Sequence, residues 1–123
     1  MKFQFCHNNI NVLDLEKSIK FYKEALGFEE VKRSEASDGS FIIVFLSDGA
    51  TGHKLELTWL RDKKEAYNLG DNEIHMAVRT ADVDAAFRHH SEMGCVVYVN
   101  EAMKLYFIAD PDGYWTEILP LKK

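Results

Sequence analysis

Two histidines and two glutamates stand where this chain could do chemistry. His7 and His75 are 68 residues apart, and Glu56 and Glu117 are 61 apart. Imidazole and carboxylate together suit a divalent ion of the Ni, Co, Zn, Fe or Mn group. Two of each would leave two positions of an octahedron for water or substrate. Taken singly, none of the four is decisive. A strand histidine is more often structural than a ligand, Glu56 could lie on a solvated strand face, and Glu117 could be a core carboxylate paired with a lysine.

An internal repeat links them. Asp14 and Asp82 are also 68 apart, and Gly27 and Gly94 are 67 apart. Residues 3–12 read as a strand with Phe5, His7, Asn9 and Asn11 on one face and Cys6, Asn8, Ile10 and Val12 on the other. Asp14 caps a helix whose apolar stripe is Leu15, Ile19, Tyr22 and Leu26, and Gly27 ends it. Strands follow at Phe28–Arg33, at Phe41–Leu46, which is apolar on both faces and so reads as buried on both sides, and at Lys54–Leu60. The pattern then restarts. Glu73–Arg79 alternates, and Asp82 caps a helix with Val83, Ala86, Phe87 and Met93 inward and Gly94 at its end. Strands are expected at Cys95–Val99 and Lys104–Ala109, and a last one follows the turn Asp110-Pro111-Asp112-Gly113. Each half thus supplies one His in its first strand and one Glu in its last. The expected class is α+β: two paired βαβββ modules (βαββ-type), spanning residues 1–62 and 72–123 of one domain. The polar connection from Arg61 to Asn72 joins them.

Composition narrows the rest. The chain has 123 residues, enough for one domain or two small halves sharing a core. Fifteen Lys and Arg against 20 Asp and Glu give a net charge of −5 with no basic block, which argues against nucleic acid and anionic membranes. No apolar run approaches the roughly 18 residues a membrane helix needs. The N-terminus lacks the apolar core of a signal peptide, and Cys6 and Cys95 show no paired spacing, so a reduced, cytoplasmic protein is expected.

The chain resembles the vicinal oxygen chelate superfamily and, within it, glyoxalase I (lactoylglutathione lyase) of the short bacterial type. The resemblance runs end to end. It is carried by His7, by Val12-Leu13-Asp14-Leu15-Glu16-Lys17-Ser18 and by Phe21-Tyr22-Lys23-Glu24-Ala25-Leu26-Gly27-Phe28. Leu55-Glu56-Leu57-Thr58, Ile74-His75-Met76-Ala77-Val78 and Asp110 through Glu117 complete it. Extradiol dioxygenases and fosfomycin-resistance thiol transferases of this superfamily use two His and one Glu, and its epimerases often carry Gln at the position of Glu56. Glutamate there favours glyoxalase I.

The resemblance implies curved mixed sheets whose concave faces carry His7, Glu56, His75 and Glu117 as ligands of one divalent metal per site. Ni²⁺ or Co²⁺ is favoured and Zn²⁺ possible. It implies a homodimer with the site at or near the interface. The implied reaction isomerises the hemithioacetal of methylglyoxal and a low-molecular-weight thiol, glutathione or a substitute, to a 2-hydroxyacyl thioester, which is methylglyoxal detoxification. Glu117 and Glu56 are the expected catalytic carboxylates, with Glu117 as the base. The alternatives are another superfamily enzyme (thiol transferase, epimerase or dioxygenase) and a non-catalytic small-molecule binder. One departure concerns the thiol. Relatives of this type have Arg four residues after the first His and Asn four after the first Glu, holding the glutamyl end of glutathione; here those substrate-binding positions are Asn11 and Leu60. Asn cannot supply a bidentate charged fork. Lys104 reads as a solvated lysine before an anion site, His89 and His90 as helix residues of which one or both face solvent, and His53 as a turn residue. Trp59, Trp115 and Tyr114 read as core, and Cys6 as pointing away from His7.

Overall fold

The computed structural model describes residues 1–121. The last two residues of the expected second module, 122 and 123, lie outside the described ones. The chain divides into two compact units, Met1–Tyr67 and the residues from Asn68 onward. Each follows the same order. The first runs β1 (His7–Val12), α1 (Leu15–Leu26), β2 (Glu29–Glu35), β3 (Phe41–Ser47) and β4 (Lys54–Leu60). The second runs β5 (Met76–Thr80), α2 (Val83–Met93), β6 (Val96–Asn100), β7 (Leu105–Ala109) and β8 (Trp115–Pro120).

Local chemistry sets the helix ends. Asp14 and Asp82 accept from the backbone N–H of Lys17 and Ala85, and Gly27 and Gly94 close the helices at φ 73° and 75°. A side chain there would be strained, so these two positions favour glycine.

Each unit holds a four-stranded sheet, ordered β1-β4-β3-β2 in the first and β5-β8-β7-β6 in the second. The first strand pairs parallel with the last, and the remaining pairings are antiparallel. The glutamate-bearing strands β4 and β8 are therefore interior, each flanked on both sides.

Alternation divides each sheet into two faces. In the first unit Ile10, Val12, Val44, Leu46, Leu55 and Leu57 are buried together with Leu15, Ser18, Tyr22 and Ala25 of α1. Each large side chain fully buried there contributes about 1.5–3 kcal/mol. Pairing Val44 with Leu57 and Phe45 with Glu56 keeps the apolar rows on the helix side and the site row on the other. In the second unit Tyr106, Ile108, Thr116 and Ile118 form the matching core.

Three expectations are corrected. The first strand starts at His7, not residue 3, because its partner β4 starts at Lys54 and offers nothing further to pair with. The β3 strand is not buried on both sides: Val44 and Leu46 are buried, Ile43 and Phe45 half-buried and Phe41 exposed. Its second apolar face lies on the helix-free side beside Glu56. Trp59, Trp115 and Tyr114 are half-buried rather than core.

Candidate metal centre

The first unit brings His7 and Glu56 together. His7 opens edge strand β1 and Glu56 sits inside β4, and their Nε2 and Oε1 atoms are 3.4 Å apart. The second unit repeats this: His75, just ahead of β5, places Nε2 3.3 Å from Oε1 of Glu117 in β8. These separations are long for an N–H···O hydrogen bond, which prefers about 2.9–3.0 Å. Two donors each about 2.1 Å from one ion stand about 3.0 Å apart at a right angle and about 3.4 Å at the tetrahedral angle. Each pair therefore fits two neighbouring vertices of one coordination shell. Among the described residues no three His, Cys, Asp or Glu side chains gather at metal-binding distance, so each unit brings together two such donors.

The surroundings of the pairs also match. The glutamate side chains are mostly covered, with 16% and 19% of their surface exposed, while the imidazoles are more open at 38% and 33%. Phe45 meets the His7 ring edge-on at 5.4 Å between centroids, and Phe107 meets His75 at 5.0 Å. Strand register produces this repetition. Glu56 lies opposite Asn9 on one side and Phe45 on the other, and Phe45 lies opposite Lys32. Glu117 lies opposite Ala77 and Phe107, and Phe107 opposite Tyr98. The two rows, Asn9–Glu56–Phe45–Lys32 and Ala77–Glu117–Phe107–Tyr98, are equivalent. In each the outermost residue directly follows a register shift in its edge strand.

The halves differ in polar detail. The Asn9 amide is within 2.8 Å of Asn11 and 2.6 Å of Thr58, and its end lies 3.1 Å from Oε1 of Glu56. The Cys6 thiol lies 3.5 Å from Nδ1 of His7, on the side of the ring away from Glu56. Cys6 precedes the strand, so alternation does not turn it away, contrary to the reading from sequence.

Strand alternation puts Asn11 and Leu60 on the same sheet face as His7 and Glu56. Asn11 lies opposite Thr58, and Leu60 ends β4 opposite Phe41 with 37% of its surface exposed. Lys104 is elsewhere. It occupies an exposed turn at φ 56°, lining a helix-side cleft with Asp82, Asp84, Phe87 and Tyr106. His53 is exposed and hydrogen bonded to Asn8 at 2.7 Å.

His89 is exposed, but His90 is buried at 2% exposure, with Nδ1 2.7 Å from the Tyr106 hydroxyl. Burial pushes the Tyr106 hydroxyl and the Cys95 thiol above their usual pKa ranges. The signal for His90 was present in the sequence. Val83, Phe87 and His90 fall at i, i+4 and i+7, so His90 continues the inward stripe of α2. Phe45 and Phe107 were also missed, because only strand register shows which residues lie beside the glutamates.

A family model described as the Glyoxalase/Bleomycin resistance protein/Dioxygenase superfamily matches residues 4–118. The lactoylglutathione lyase of Neisseria meningitidis serogroup A is 35% identical over 124 residues, covering 94% of this chain and 89% of that protein. That of Haemophilus influenzae is 32% identical over 129 residues, covering 97% and 93%. Among solved structures, a glyoxalase I of Leishmania major, described as trypanothione-dependent, matches with a TM-score of 0.85 at 28% identity, covering 97% of this chain and 87% of that one. The chain belongs to the Glyoxalase/Bleomycin resistance protein/Dioxygenase superfamily, and within it stands with the glyoxalase I-like lyases.

Proposed function

We propose that this protein isomerises the hemithioacetal of methylglyoxal and a low-molecular-weight thiol to a 2-hydroxyacyl thioester. In this reading it is a cytoplasmic homodimer whose modules, residues 1–62 and 72–123, supply one His–Glu pair each. His7, Glu56, His75 and Glu117 would hold one divalent ion, Ni²⁺ or Co²⁺ before Zn²⁺. The carrying observation is the pair of matched His–Glu contacts at 3.4 and 3.3 Å on equivalent strands. The names of the relatives support the same reaction.

When bound, the ion supplies Lewis-acid polarisation of the substrate oxygens, which acidifies the C1–H bond. Glu117 takes the C1 proton, and the freed electron pair forms the C1–C2 double bond. A proton then returns to C2 from Glu117 or Glu56, while the C1 hydroxyl gives up its proton and becomes the thioester carbonyl and the C2 oxygen, which took up the carbonyl electron pair in the first step, gains that proton and becomes the 2-hydroxyl. No atom is gained or lost. Glu117 suits the base role because its neighbours are aromatic: Phe107 packs on Trp115 at 5.3 Å and on Tyr98 at 6.1 Å. Glu56 instead has the end of the polar Asn9 amide 3.1 Å from its Oε1.

The test is thioester formation by metal-free protein reconstituted with Ni²⁺, Co²⁺ or Zn²⁺, given methylglyoxal and a panel of thiols. Turnover should require metal and be highest with Ni²⁺ or Co²⁺. Metal-independent turnover, or none with any thiol, would overturn the reading, and highest turnover with Zn²⁺ would overturn the metal preference.

A further inference from the structure

The row of side chains across the first sheet ends in a cation that the chemistry above does not use. Lys32 in β2 lies opposite Phe45, and its ammonium sits over the Phe45 ring, 5.8 Å from the centroid. Phe45 in turn packs against the His7 ring and pairs with Glu56. Neighbouring cations are engaged: Arg33 is held by Glu30 and Glu16, and Lys23 by Glu29. Lys32 has no carboxylate partner among the described residues and is exposed. The equivalent residue of the second unit, Tyr98, is neutral, so the repeat carries charge at one end only.

Two strand spacings of about 4.8 Å put the Lys32 backbone about 10 Å from that of Glu56. A tripeptide-sized thiol spans about 10 Å when extended. A substrate with its reacting carbons at the His–Glu pair can therefore run over Phe45 and place a terminal carboxylate at Lys32. Asn11 and Leu60, on the same face, are uncharged.

Building on the isomerase reading, we propose that Lys32 is the residue that selects a carboxylate-bearing thiol, with the Phe45 ring as the floor beneath the bound chain. The flexible ammonium acts as a point charge and does not require the planar geometry of a guanidinium fork. The proposal is separable from the chemistry, because Lys32 touches neither glutamate nor histidine.

The test uses the metal-loaded protein and two unreactive probes, S-hexylglutathione and its diethyl ester, with affinities from calorimetry. Wild type should bind the free acid more tightly than the ester. Lys32→Met keeps the aliphatic cover on Phe45 and removes the charge. It should weaken the acid by about tenfold or more and leave the ester unchanged. Lys32→Arg should retain the preference. Equal weakening of both probes, no change in either, or no binding of the acid to wild type would each overturn the assignment. Turnover assays on the same samples keep the two questions apart: a wild type inactive with every thiol overturns the isomerase reading, whereas an active one without a Lys32 effect overturns this proposal alone.

Discussion

Glu117 places Oε1 3.3 Å from Nε2 of His75, although 42 residues separate them in the chain. The parallel pairing of β5 with β8 closes that gap by setting Ala77 beside Glu117, so that the residue just before β5 reaches over the carboxylate. The β1–β4 pairing does the same for His7 and Glu56, at 3.4 Å.

Glu117→Gln keeps the size and one oxygen donor but cannot accept a proton. Turnover should fall by about 10²–10⁴-fold, the usual contribution of a general base. Metal content, read by elemental analysis, should largely persist. Turnover within threefold of wild type would remove Glu117 from the base role.

The proposed sharing of one site between two chains predicts complementation. The double variants His7→Ala/Glu56→Ala and His75→Ala/Glu117→Ala should each be inactive and lose metal. Mixed dimers would carry one site built from two intact pairs, so co-refolding the two variants should restore part of the activity. No recovery in confirmed mixed dimers would mean that the pairs of one chain serve the same site.

The substitutions Asn11→Arg and Leu60→Asn should lower KM for the glutathione adduct. A charge-assisted contact is worth about 1.5–3 kcal/mol, or roughly ten- to 150-fold in affinity. Steady-state kinetics on the double variant, with kcat as the control, decides it. An unchanged KM would show that these two positions do not reach the peptide.

The buried His90–Tyr106 pair should matter for stability and not for chemistry. Tyr106→Phe removes the hydroxyl 2.7 Å from Nδ1 and should destabilise by about 1–3 kcal/mol. His90→Leu with Tyr106→Phe should cost less than the sum of the single changes, because neither partner is then left unpaired. Denaturant unfolding measures the cycle; strict additivity would deny the coupling.

Acid should weaken the fold through particular carboxylates. The Arg33 guanidinium holds Glu30 below its usual value of 4.5, and backbone N–H groups of Thr51 and Ala50 hold Asp48 below 3.8. Both groups are lowered in the folded state, so their stabilisation is present at neutral pH and is lost as pH falls below those values. Asp48→Asn should flatten the acid limb of a stability–pH curve, and an unchanged slope would show that the turn contributes nothing there.

The local features of this fold were legible in the sequence for local reasons. Asp14 and Asp82 as caps, Gly27 and Gly94 as helix ends and the βαβββ order of both halves follow from capping, positive φ and hydrophobic period, which act within a few residues. The two His and two Glu stood out because the repeat placed them at equivalent points. Tertiary structure alone decided what depends on partners distant in sequence. The β1 strand begins at His7 because β4 begins at Lys54, and Phe45 and Phe107 stand beside the glutamates because strand register sets them there. The inward stripe of α2 already included His90, but its pairing with the Tyr106 hydroxyl depends on where β7 packs.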